Sequence, residues 1–154
     1  MENRLTPERI SAIGEYIRKN FDRELLAEDI HAGMPDPSAL GELEESFADA
    51  LSELLRDSGM SKTEFSDRTN ISRQMLHAII RDASRPSKST AISCAIVLRL
   101  SMDEAEALLN KAGYAFTRSS RSDLIVEYYI RNRIYDIFEI NEALEYYNLR
   151  PLFS

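Results

Sequence analysis

Cysteine occurs once in this chain, at Cys94, and histidine twice, at His31 and His77. A lone cysteine cannot close an internal disulfide, and neither residue type is present in the spaced sets that bind zinc. Cys94 lies in the apolar run "AISCAIVLRL", where a small core side chain is expected rather than a reactive thiol. Glycine and proline, five of each, are too few for a turn-rich β protein, and no glycine-rich phosphate loop is formed from them. No apolar run approaches the roughly 20 residues that cross a bilayer. The opening "MENRLTPERI" lacks the apolar segment of a secretory leader, so the expectation is a cytoplasmic protein without a membrane partner. The many carboxylates are what helical surfaces scatter in any case, so neither an enzyme nor a cofactor is expected.

What is abundant is alanine, leucine, glutamate, arginine and isoleucine at helical spacing, in 154 residues of which 44% are hydrophobic. That is enough for one core, and it predicts an all-α fold. The net charge of −7 is unevenly spread. Residues 1–60 carry 6 basic and 14 acidic side chains, residues 61–99 carry 7 and 3, and residues 100–154 carry 6 and 9. A basic island between acidic flanks is the electrostatic footprint of a localised contact with a polyanion.

Along the chain, Thr6 predicts a helix start, with Pro7 in the first turn and Glu8 at the positive end of the dipole. Ile10, Ile13, Ile17 and Phe21 share one face. A second piece at "RELLAEDIHAG" precedes "GMPDPSALG", where Gly33, Pro35, Pro37 and Gly41 predict a linker. From Glu42 a stripe of Leu43, Phe47, Leu51, Leu54 and Leu55 runs to Gly59, which suits the position past a helix end. Ser61 and Glu64 have the spacing of a reciprocal capping box, as do Ser101 and Glu104. Asn70 predicts a left-handed interruption, and Ser72 predicts the cap of a further helix that turns Leu76, Ile79 and Ile80 inward. After the loop "DASRPSKST", the segment "TAISCAIVLRL" is apolar on most sides and is expected at the centre. Ala105, Leu108, Leu109 and Ala112 continue at helical spacing. Two further helices are predicted near "SDLIVEYYIRNR" and "IFEINEALEYYN", the latter with Ile140, Ala143, Leu144 and Tyr147 on one face.

Two short helices joined by three or four residues at a steep angle need a small residue at their contact, a permissive one in the turn and apolar ones beyond it. Ser66, Asn70, Ile71, Leu76 and Ile79 meet those demands in order. The stretch from Leu51 to Leu109 resembles the phage-repressor and Cro-like helix-turn-helix family. In it "LSELLRDSGMSKTEFSDRTNISRQMLHAII" is similar to the first three helices, "SRPSK" to the basic loop and "STAISCAIVLRLSMDEAEALL" to helices four and five. It departs from the family where Ser66 replaces the usual alanine, Asn70 the glycine and Lys62 the glutamine, and where residues 80–82 replace the closing Glu-x-Gly. The resemblance implies a five-helix DNA-binding domain over 42–112, with an N-terminal helical extension and linker over 1–41 and a C-terminal extension over 113–154. It further implies a regulator of transcription that binds double-stranded DNA and reads the major groove with helix 72–81. Arg73, Gln74, His77, Ala78 and Arg81 are then the expected base contacts. Lys62, Ser72, Ser84, Arg85, Ser87 and Lys88 are the expected phosphate contacts.

A charged helix face is ordinarily just solvated, and loops are commonly basic for solubility. The alternative to DNA binding is therefore a helical interaction module of the antitoxin or adaptor kind, whose acidic N-terminal segment meets a protein partner. Twelve acidic residues among the first 50 motivate it. A homodimer is expected, because one recognition helix reads only a few base pairs. Tyr128, Tyr129, Tyr135, Phe138, Tyr146, Tyr147 and Phe153 could supply its interface or cover the central domain. The segment before the "GMPDPSALG" break is expected to be dispensable for folding of that domain.

Overall fold

A computed structural model describes residues 4–21 and 45–152. The predicted linker at 33–41, the piece at 23–33, His31, Leu43 and Phe153 lie outside the described residues. Among those described the fold is all-helical, as the composition predicted. It comprises α1 (Pro7–Asn20), α2 (Phe47–Ser58), α3 (Lys62–Thr69), α4 (Arg73–Ile80), α5 (Lys88–Val97), α6 (Met102–Lys111), α7 (Arg121–Arg131) and α8 (Ile137–Tyr146).

Each start has a local cause. Thr6 accepts from the Arg9 amide with Pro7 at the first position, and Ser46, Ser61, Ser72, Ser87, Ser101, Ser120 and Asp136 cap the other seven helices. The capping box at Ser101 and Glu104 is complete, at 3.2 and 3.3 Å. That expected at Ser61 is only half made. Ser61 accepts from the Glu64 amide at 3.1 Å, but the Glu64 carboxylate turns outward to Arg68 at 2.8 Å, an i,i+4 pair that competes with the cap.

Helix α5 is central. Ala91, Ile92, Ser93, Cys94, Ala95 and Ile96 are all buried in it, and it packs on α3, α6 and α8. Helix α2 lies against α4 and α6, α7 packs on α6 and α8, and α1 lies along α7. One apolar cluster runs through all of these, from Leu5 and Ile13 to Leu144, and so crosses the boundaries expected at 41/42 and 112/113. Ile13 is fully buried, and Ile10 and Ile17 pack beside it, so the α1 stripe covers the C-terminal helices of its own chain. Gly14 permits the approach: a Cβ there would stand 3.3 Å from the Tyr147 hydroxyl. Arg4 to Asp136 at 2.7 Å, Arg9 to Glu139 at 3.3 Å and the Leu5 amide to Glu142 at 3.0 Å fix its register.

The tail aromatics mostly serve this core. Tyr129 is fully buried, while Tyr128, Tyr135 and Tyr147 pack against the cluster. Phe138 and Tyr146 remain exposed.

Candidate nucleic-acid interface

The hinge between α3 and α4 is built as its residues demand. Ser66 is buried at the contact and donates its hydroxyl to the Ile71 carbonyl. Thr69 donates to the Phe65 carbonyl at 2.7 Å and accepts weakly from the Ile71 amide. Asn70 takes the left-handed conformation with φ of 58°, the role for which asparagine substitutes for glycine. Behind the hinge Phe65, Ile71, Leu76 and Ile79 are buried.

Burying Leu76 and Ile79 turns the opposite face of α4 outward. Arg73, Gln74 and His77 are exposed on it and Ala78 is half-buried, with Arg81 exposed just beyond. Arg73 and Gln74 stand in the first turn, where Ser72 accepts from the Met75 amide at 3.0 Å. Among the described residues no carboxylate comes within ion-pair distance of Arg73, Arg81 or Lys62. The Arg81 guanidinium lies 3.4 Å from the His77 ring. A free guanidinium fork matches guanine O6 and N7, and a primary amide matches adenine N6 and N7.

The helix also ends in a defined way where the sequence departs from Glu-x-Gly. Asp82 adopts a φ of 59°. Its amide donates to Ile79 at 3.1 Å and the Ala83 amide donates to Ala78 at 2.8 Å, the two bonds of a Schellman terminus.

The expected phosphate set is divided. Lys62 is exposed at the first position of α3. Ser72 and Ser87 cap α4 and α5, and Ser84 donates to the Met75 sulfur at 3.7 Å. Arg85 and Lys88 instead reach back to the tail. Arg85 Nε donates to the Ala112 carbonyl at 2.9 Å with its guanidinium over the Tyr114 ring at 4.9 Å. Lys88 Nζ donates to Asp123 Oδ2 at 2.7 Å, and that carboxylate is buried. Sequence reasoning missed Asp123 as the partner of the basic loop. The available signal was an acidic residue in the first turn of an apolar helix, which is common and unspecific. It also missed Met75, exposed beside Gln74 and out of phase with the Leu76 and Ile79 stripe.

Residues 51–104, roughly a third of the chain, match the family model described as helix-turn-helix. No curated protein and no solved structure gave a match. The matched family is one of DNA-binding regulators and not of enzymes. Its span runs from the middle of α2 to the first turn of α6 and contains the whole of the hinge. Residues 51–104 thus match a helix-turn-helix domain, consistent with the resemblance to the phage-repressor and Cro-like family, and the match supports a DNA-binding regulator in general.

Proposed function

We propose that the chain is a sequence-specific regulator of transcription that lays residues 72–81 in the major groove. The observation that carries this reading is the first turn of α4, where Arg73 and Gln74 are exposed and Arg73 is unpaired among the described residues, above a face anchored by buried Leu76 and Ile79. In this reading Arg73 and Gln74 discriminate bases, and His77, Ala78 and Arg81 line the groove further along. Lys62, Ser72, Ser84 and Ser87 meet phosphates, while Arg85 and Lys88 chiefly hold their loop in place. Two copies bind two half-sites about 34 to 36 Å apart, with the exposed rings of Phe138 and Tyr146 available to a dimer contact. The test is substitution. Arg73→Ala or Gln74→Ala should each weaken binding to a preferred site by about 1–3 kcal/mol and flatten discrimination at one or two positions, with little loss on random DNA. Unchanged affinity and preference in both folded variants would contradict it.

The second reading, an interaction module of the same fold, draws on one observation: Arg85 and Lys88, two of the loop's cations, are engaged within the chain. A mobility shift that finds no DNA complex at low salt would favour it.

A further inference from the structure

The connection between α6 and α7 contains "TRSSR", residues 117–121, outside the span of the family match. Several contacts bind this connection to the basic loop that follows α4. Asp123 Oδ2 accepts from Lys88 Nζ at 2.7 Å and from the Thr117 amide at 2.9 Å, so one buried carboxylate ties the start of α5 to the turn before α7. Ser120 accepts from the Asp123 amide at 3.2 Å and sets the start of α7. On the other side of the loop the Tyr114 hydroxyl donates to the Pro86 carbonyl at 2.9 Å, and Arg85 lies on the Tyr114 ring. The two segments are therefore joined into one edge.

Arg118 and Arg121 stand exposed on that edge, and among the described residues neither has a carboxylate within ion-pair distance. Arg121 is the first residue of α7. A cation at a helix N-terminus opposes the dipole, so its placement there is not explained by the helix itself. The nearby carboxylate that could offset it, Asp123, is already held by Lys88 and Thr117. Lys88 is neutralised by this arrangement, while Arg118, next to Thr117, and Arg121, two residues before Asp123, flank the same tie with no carboxylate partner among the described residues.

We propose that Arg118 and Arg121 form a second phosphate-binding edge, which grips the DNA backbone beside the base pairs that α4 reads and lengthens the footprint beyond that of residues 51–104. The inference rests on the DNA-binding reading. A contact of this kind contributes affinity without base preference and appears in the salt dependence, each neutralised phosphate adding about 0.9 to the log-log slope.

The experiment measures binding of the full chain against salt for Arg118→Ala/Arg121→Ala and for Arg133→Ala, on a preferred site and on random duplex. Arg133 is an exposed cation beyond the other end of α7, about 18 Å away along the helix. The double variant should lower the slope by about two, weaken both DNAs alike and leave their ratio unchanged, while Arg133→Ala leaves the slope as it was. An unchanged slope in a folded double variant, or an equal fall with Arg133→Ala, would overturn the second edge and leave the role of α4 intact. A wild-type chain that binds no DNA would remove both.

Discussion

At Asp123 a single carboxylate, 4% exposed, receives the Lys88 ammonium and the Thr117 amide. Lys88→Ala strips a charged donor from a buried acceptor, which costs about 1–3 kcal/mol. The expected result is a lower denaturant midpoint at constant slope; an unchanged midpoint would return Lys88 to the solvent. Cys94 makes a second residue-scale test. Its thiol is fully buried and burial pushes its pKa up to about 12, and only the thiolate attacks disulfides. The folded chain should therefore resist an aromatic disulfide reagent at neutral pH and react fully once unfolded in guanidinium. Fast stoichiometric reaction of the folded chain would contradict the packing of α5. This placement was legible from the run around Cys94, whereas the fate of Lys88 was not. Its partner lies 35 residues along the chain and that of Arg85 lies 27, and no local pattern announces contacts at such separations.

The helix starts were legible because their causes are local: a hydroxyl at Thr6, Ser61, Ser72 or Ser101 meets an amide three residues on. Several helix ends were less so. Gly59 and Asn70 were legible from residue type, and Asp82 is also of a type that tolerates this region, but Arg99 and Arg133 hold φ of 54° and 57°, in conformations that ordinary side chains adopt only when neighbouring structure imposes them. At Arg133 the Ile134 amide donates to Tyr129 at 2.9 Å and the Arg133 amide to Ile130 at 3.0 Å, closing α7 whatever the residue type. Arg133→Gly should therefore relieve about 1 kcal/mol of backbone strain and raise Tm by a few degrees. A fall in Tm would mean that the arginine side chain contributes more than its backbone costs.

Across the whole molecule, the sequence reading recovered the helix-turn-helix core but left open what the α1 stripe covers. Helix amphipathicity reveals an apolar face without naming its counterpart, and here the counterpart is α7, more than 100 residues later in the chain. Ile13→Ala should cost about 2–5 kcal/mol, measured by denaturant unfolding; a cost near zero would detach α1 from the core. Removal of residues 1–40 should leave a cooperative thermal transition at lower temperature, and an insoluble or molten product would make α1 indispensable. Sedimentation should find a dimer at tens of micromolar; a monomer whose protein mass is unchanged on DNA would contradict the two-half-site arrangement. The most direct measurement of the central claim is selection of bound sequences by the full chain from a random duplex library. The account predicts an enriched motif with two related half-sites one helical turn apart, whose preferred bases change when Arg73 or Gln74 is replaced. Recovery of sequences no different from the starting library, at salt low enough to permit binding, would contradict it.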